Sequence, residues 1–403
     1  MRVVLNGLAA LKPKTGVGHH VADLYAALSS YYSSDEFTLY PGEFVGRLAR
    51  RIGQTVQSPV ETPSPASRPR RTRDQIRTAT KSLAKFGSRC HFSGYTRMFK
   101  FDLYHEPNFV PFRTHLPTIV TVHDLSVLKY PHWHPADRVE EHQRYFLRGL
   151  DRACHVIVVS HAVRRELIEE LNCPPERVTA VYNGLGSQFR PQSLEVVQSL
   201  RARWNLPEMF FLCVGTIEPR KNLGTVIRAF ADLPPATREQ CPLLLAGPWG
   251  WRSDTERELF HTIGHSAGVR HLGYVPAADL PALYSAAHAL LYPSHYEGFG
   301  FPPVEMLACG GAVIASTADA VKEVVGRHAY YVEAEDVAGW RDALARAIAD
   351  PAFIDRLKEN GPEHARQYNW TRAAAETMAV YSRVLDLTPC KPATVRPLRS
   401  LAA

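Results

Sequence analysis

Short apolar runs alternate with amphipathic stretches along most of the chain, and the alternation sets the architecture. "RVVLNGL" reads as a strand, Gly18 to Ser29 as a helix and "FTLY" as a second strand. From Phe44 to about Ser93 the pattern lapses into a Pro-, Ser- and Arg-rich stretch, "QSPVETPSPASRPRRTR", a composition that favours mobility. Strands return in "DLYHEP", "PTIVTVHDL", "HVIVVS" and "VTAVYNG". The second half repeats the rhythm: strand "MFFLCVG", helix "KNLGTVIRAFADL", strands "PLLLAGP" and "VRHLGYV", helix "ADLPALYSAA", strand "ALLYPS", helix "PPVEMLACG", strands "AVIAS" and "AYYVE". Runs such as "TIVTV", "VIVV" and "PLLLA" are apolar at consecutive positions, the mark of strands covered on both faces. The pattern predicts an α/β protein of two doubly wound domains with parallel sheets.

The polar stretch "GSQFRPQS" marks the boundary, giving predicted domains 1–187 and 188–369. A last helix, 370–386, is expected to pack back toward the first domain. The length, 403 residues, exceeds one ordinary core. In sheets of this kind ligands bind beyond the carboxyl ends of the strands. Two such Rossmann-like domains facing each other would enclose a central cleft.

Composition narrows the setting. With 45% hydrophobic and 22% charged residues the chain reads as soluble and globular. No run approaches the ~20 apolar residues that span a bilayer, and the N-terminus reads as a first strand and not a signal peptide. Seven scattered cysteines without a CxxC pair point to reduced thiols, no metal framework and a cytoplasmic setting. Charge is uneven. Between Arg47 and Lys100 stand thirteen Lys or Arg and two acids, a net of +11, while the whole chain carries +7, so the remainder sums to −4. The basic 47–93 segment is either a solvated loop or a patch for anionic lipid, where each nearby cation is worth ~1 kcal/mol. No nucleic-acid motif accompanies it.

The chemistry concentrates in "SHYEGFGFPPVEMLACG", Ser294 to Gly310, where Glu297 and Glu305 stand eight positions apart. Gly298 and Gly300 allow positive φ, and the paired prolines preset a helix beginning near Pro303. Glu305 would then lie in the first turn, either as a favourable charge on the helix dipole or as a ligand-binding acid. The amides of Phe299, Gly300 and Phe301 suit an oxygen-rich ligand. Glu297 lies in a loop at the carboxyl end of a strand, a position that carries function. In "GTIEPRKN", Arg220 and Lys221 fall between a strand and a helix N-terminus, a natural anion site. "GVGHHV" lacks the geometry of a dinucleotide fingerprint. Its sixth position is Val21, the gap from the first strand is long, and Tyr40-Pro41 stand where a ribose acid would be needed.

"HYEGFGFPPVEML" resembles the Glu–seven residues–Glu signature of family 4 retaining glycosyltransferases with the GT-B fold. "KTGVGHHVADLYAAL", "VTVHDLS", "VYNG", "VGTIEPRKN", "LAGP" and "LGYVPAADLPALYSAAHALLYPS" are similar to further family segments in family order, over about residues 1–45 and 95–385. The resemblance implies a nucleotide-sugar donor and no bound cofactor or metal. Glu305 would take the ribose hydroxyls, and Glu297 would sit at the donor sugar with the amides of Phe299, Gly300 and Phe301. Lys221 would hold the diphosphate, His123 would lie near the sugar, and Gly16 and Gly18 would approach the diphosphate from the other domain. Many family members carry Arg where this chain has Thr216, so Arg220 is the candidate substitute. The "EPRKN" form resembles mannosyl- and rhamnosyltransferases of bacterial surface polysaccharides. This implies a GDP-linked donor, a glycan or lipid-linked acceptor and peripheral contact at the inner membrane face. A dehydrogenase, a phosphorylase and a non-catalytic scaffold of the same fold are the alternatives. Glu106, Trp249 and Trp251 are further cleft candidates, and Asn183-Gly184 reads as a turn.

Overall fold

A computed structural model describes residues 1–11, 16–42 and 91–387. Residues 47–90 of the basic segment lie outside these. The first sheet contains β1 (Arg2–Asn6), β2 (Glu36–Tyr40), β3 (Leu103–Glu106), β4 (Thr118–Val122), β5 (His155–Val158) and β6 (Val178–Ala180), in the order β2-β1-β3-β4-β5-β6. The second contains β7 (Phe211–Val214), β8 (Leu243–Ala246), β9 (Arg270–Gly273), β10 (Ala289–Tyr292), β11 (Ala312–Ser316) and β12 (Tyr330–Val332), in the order β12-β11-β10-β7-β8-β9. Every pairing is parallel. The consecutive apolar runs explain this. All residues of β4, β8 and β11 are buried, which requires helices on both faces.

Strand order reverses once in each sheet, between β1 and β3 and between β7 and β10. A crevice opens at each such switch point, outside the carboxyl ends of the strands. In the second sheet the two flanking loops are 215–222 and 293–300, the segments that carry Lys221 and Glu297.

Three details differ from the sequence reading. The helix after the glycine-rich loop is Phe301–Ala308, so it starts two residues early and Glu305 falls in its second turn. Pro302 and Pro303 lack N–H groups, so they fill positions where a helix has unsatisfied donors anyway. The first helix runs from Gly16 to Tyr31, two residues longer at each end than the expected Gly18–Ser29, so Gly16 and Gly18 both lie within its first turn. Cys173, Cys213, Cys241 and Cys309 are free and buried, but Cys154 is disulfide-bonded, which corrects the expectation of uniformly reduced thiols. Among the described residues no helix is long and apolar enough to cross a membrane.

The last helix, Trp370–Asp386, follows the second domain in sequence but belongs to the first domain's core. Its Ala373, Ala374, Met378, Val380, Tyr381 and Val384 pack with Val3, Leu5, Ile119 and Ile157. Tyr381 reaches the buried His105 of β3, Oη to Nδ1 2.7 Å. Asn369 caps this helix by accepting from Arg372 N at 2.9 Å. The chain therefore crosses between domains twice, and the crossings lie side by side. Leu185 bridges Asn369, and Leu185 N donates to Tyr368 O at 2.9 Å. Gly184 permits this approach, because a Cβ there would lie 2.5 Å from the Trp370 ring and backbone N.

Polar contacts join the domains around the cleft. Glu323 of the second domain accepts from the amides of His161 and Ala162, both at 2.7 Å, and so caps the first domain's His161–Leu171 helix. Tyr296 Oη donates to Glu166 at 2.5 Å and accepts from Leu125 N at 2.9 Å. Arg252 donates to His132 O at 2.6 Å. Gly298 presses on the other domain: a Cβ there would stand 1.7 Å from the His123 carbonyl oxygen. Gly298→Ala is therefore expected to hold the domains apart. The expected readouts are a larger radius of gyration by small-angle scattering and a loss of about 1–3 kcal/mol in stability; an unchanged scattering profile would count against this contact.

Candidate active site

The second sheet's switch point places a carboxylate from one loop between two cations from the other. Glu297 follows β10; Arg220 and Lys221 form a short 3-10 turn, Pro219–Lys221, after β7. Glu297 Oε2 accepts from Arg220 Nη1 at 2.5 Å and Oε1 accepts from Lys221 Nζ at 2.6 Å. Arg220 also donates to Glu218 Oε1, at 2.7 Å from Nη2, and to Tyr296 O at 3.0 Å. Lys221 donates to Tyr292 Oη at 2.8 Å and lies 4.9 Å from the centre of that ring. Burial pushes the Glu297 carboxyl up, but the Arg220 and Lys221 charges outweigh it and hold the pKa down at about 2. Burial lowers Lys221, and the Glu297 charge only partly offsets this.

Glu305 stands apart from that cluster. It is half-buried and accepts one hydrogen bond from Tyr284 Oη at 2.6 Å. Burial raises its pKa to about 7, with Tyr284 pulling the other way. The charge is thus weakly held, unlike that of Glu297. Between the two acids, Gly300 adopts φ +104 and precedes the Phe301–Ala308 helix, while Phe299 is buried against Tyr182, Phe301 and Tyr368. With Pro302 and Pro303 in the first turn, the donors that the start of this helix leaves over are the amides of Gly300 and Phe301. Thr216, with Lys221 and Tyr292, lines a pocket at the ends of β7, β8 and β10. Gly215 and Gly247 make this pocket possible: a Cβ on Gly247, at φ +150, would sit 1.9 Å from Gly215 O.

His123 approaches from the first domain at the end of β4. Its Nε2 donates to Pro107 O at 2.9 Å. Burial lowers its pKa, so the ring is neutral and Nδ1 is left as the acceptor. His20, in the Gly16–Tyr31 helix, packs edge-on against it with ring centroids 4.8 Å apart. His20 Nδ1 is 2.8 Å from Asn183 Oδ1, while its Nε2 is buried without a partner. Asn183 is thus a contact; the turn expected at Asn183-Gly184 is not formed there and lies instead at 187–188.

The structure brings Lys221, Arg220, Thr216, Glu297 and the 299–301 backbone together, with His123 beside them through Gly298. Glu106 takes a different place. It is buried and holds Asn6, Tyr104 and the Asn108 amide across the first sheet's switch point, and burial raises its pKa to about 8. Trp251 lies at the domain interface under the Arg138 guanidinium, 4.3 Å from the ring centre, whereas Trp249 packs on Phe260 and His271. Sequence reasoning missed Glu218, Tyr292, Tyr284 and His134. Glu218 had a signal, an acid two residues before Arg220. His134, buried beside Trp251 with neither ring nitrogen partnered, had none.

The same segments match known families. A model described as Glycosyltransferase Family 4 matches residues 14–188, and one described as Glycosyl transferases group 1 matches residues 198–364. The O-antigen chain mannosyltransferase B of Escherichia coli is 31% identical over 376 residues, 92% of this chain and 96% of that protein. The chain belongs to glycosyltransferase family 4. The transferase also resembles the serotype-specific mannosyltransferase WbdA of Escherichia coli, 28% identical over 67% of this chain but only 34% of that longer protein. Its GT-B fold is shared with sucrose-phosphate synthase from Thermosynechococcus elongatus, at TM-score 0.69 and 22% identity over 96% of this chain and 99% of that one. WaaG, a glycosyltransferase involved in lipopolysaccharide biosynthesis, gives TM-score 0.69 at 14% identity over 94% of this chain and 99% of that one. Anabaena Alr3699/HepE, solved with UDP and glucose, gives 0.68 at 19% identity over 94% and 98%.

The Glu305 setting of the transferase has a pH consequence. Its folded pKa, about 7, lies above its ordinary value. The stability tied to its proton is therefore complete below the ordinary carboxylate range and is lost as pH rises through about 7. Glu305→Gln is expected to melt with wild type near pH 4.5 and above it at pH 8; parallel melting curves across that range would refute the assignment.

Proposed function

We propose that this transferase moves mannose, or a 6-deoxy-mannose such as rhamnose, from a nucleoside diphosphate donor onto a glycan or lipid-linked acceptor in surface-polysaccharide assembly. GDP-mannose is the first donor to test. The transfer retains anomeric configuration and uses no metal. The observation that carries the reading is the Arg220–Glu297–Lys221 cluster at the switch point, together with the likeness to the O-antigen mannosyltransferase.

Sugar transfer builds positive charge at the anomeric carbon and negative charge on the departing diphosphate. Fixed cations in a water-poor cleft stabilise that developing charge without reorganising. Lys221 and Arg220 are the groups placed for this task, and Arg220 fills it in the absence of a cation at Thr216. The free amides of Phe299, Gly300 and Phe301 suit sugar hydroxyls, and His123 Nδ1 accepts from another. Glu305, ionised when two ribose hydroxyls donate to it, binds the nucleoside. The acceptor hydroxyl attacks from the first domain's side on the face the diphosphate leaves, and a diphosphate oxygen takes its proton. Gly16 and Gly18, in the first turn of their helix, face the diphosphate from the opposite wall.

A thermal-shift screen against GDP, UDP, ADP, TDP and their sugars tests the donor. Guanine nucleotides are expected to raise the melt, by about 2.7 kcal/mol at one hundred times Kd, and Glu305→Ala is expected to lose most of the shift. Lys221→Ala is expected to lower kcat by about 10²-fold or more, and NMR of the product to show the donor's anomeric configuration. A nucleotide shift without any transfer would favour a non-catalytic binding subunit.

The same proposal places the chain in the cytoplasm, with peripheral contact to anionic membrane through the basic 47–93 stretch; this part rests on charge alone. Flotation with anionic liposomes tests it: wild type is expected to float and a deletion of 47–90, which spares the buried Phe92, to stay behind. Wild type remaining in solution as well would remove the membrane from the scheme.

A further inference from the structure

The charges of the donor site balance before any ligand arrives. Arg220 and Lys221 face Glu297, 8% exposed, and Glu218, 3% exposed. Glu297 holds both cations, at 2.5 and 2.6 Å, and Glu218 holds Arg220 from the other side at 2.7 Å. A diphosphate entering this cluster meets no net positive charge unless one carboxylate withdraws.

The two carboxylates differ in freedom. Glu218 follows Ile217, whose N and O are both hydrogen-bonded to the 248–250 segment, and it precedes Pro219. Glu297 lies in the irregular segment between β10 and the Phe301–Ala308 helix; Gly298 locks the backbone beside it against His123, so the freedom is that of the Glu297 side chain, whose carboxylate is held by Arg220 and Lys221. Glu297 is therefore the one that moves. Moved off its cations, it is a buried charge without partners, which is costly. A sugar supplies hydroxyl donors for it; a bare diphosphate supplies none.

Resting on the donor reading above, we propose that Glu297 is an internal counter-anion that makes the site discriminate the intact sugar donor from the spent nucleoside diphosphate. It occupies Arg220 and Lys221 when no phosphate is present. It yields them when a donor's sugar hydroxyls take over its hydrogen bonds. After transfer the sugar is gone, Glu297 returns to the cations, and the product nucleotide is expelled. The residue thus serves product release as well as the sugar contact.

Isothermal titration of the full chain with inorganic pyrophosphate, GDP and GDP-mannose tests this. Pyrophosphate carries neither base nor sugar, so it reads the cations alone. Glu297→Gln removes the counter-charge at nearly constant shape and is expected to bind pyrophosphate and GDP at least about tenfold more tightly than wild type. Its preference for GDP-mannose over GDP is expected to collapse. Glu297→Gln with unchanged or weaker pyrophosphate affinity, its melt intact, would overturn the proposal. Wild type needs no variant: GDP binding more tightly than GDP-mannose would overturn it too. A gain for pyrophosphate with no response to any guanine nucleotide would instead overturn the donor assignment and leave the counter-anion standing.

Discussion

A carboxylate withdrawn from water between two fixed cations ties the ends of β7 and β10 together. Everything else at the second sheet's switch point is arranged around that tie. Glu297 is ionised because Arg220 and Lys221 overcome the cost of burying it, and Glu297 in turn partly offsets the lowering that burial imposes on Lys221. Tyr292 and Glu218 complete the cluster at its two ends. The parallel sheet supplies the frame. Strand order reverses between β7 and β10, so the loops that follow them diverge and leave a crevice that only side chains fill.

Each acid of the motif sits in a different electrostatic environment. Glu297 has cations and stays charged at any physiological pH. Glu305 has one phenol and a carboxyl balanced near neutrality. One sequence pattern therefore delivers two carboxylates with opposite tendencies, set by what each touches. The first domain completes the site through backbone as much as through side chains. The His123 carbonyl lies against Gly298, and the Pro107 carbonyl fixes which His123 nitrogen can accept.

Much of this was legible in the residues. Continuous apolar runs such as "TIVTV" and "PLLLA" gave parallel strands, because a strand covered on both faces leaves no polar alternation. The loop chemistry was legible too, since glycine, proline and charge stand out against such runs. What escaped has physical causes. The helix onset at Phe301 depended on two prolines tolerated inside the first turn, so the sequence suggested a later start. Asp319–Val325 and Val337–Ala349 carry few landmarks beyond ordinary amphipathic spacing, and they went unread. Glu106 looked like a cleft acid because it lies in the domain expected to take the acceptor, yet Asn6, Tyr104 and the Asn108 amide consume its oxygens. The pairing of Glu297 with both Arg220 and Lys221 bridges some seventy-six positions, a distance no local pattern encodes.

The return of the Trp370–Asp386 helix to the first domain makes that domain discontinuous. Its core is assembled from both ends of the chain, while the second domain is one uninterrupted segment between the crossings near Gly184 and Asn369. The second domain is therefore an insertion into the first, with the entry and exit segments adjacent. Such an arrangement lets one half be exchanged as a cassette at two neighbouring joints without cutting either hydrophobic core. It offers a structural route by which one domain is replaced while the core of the other is kept.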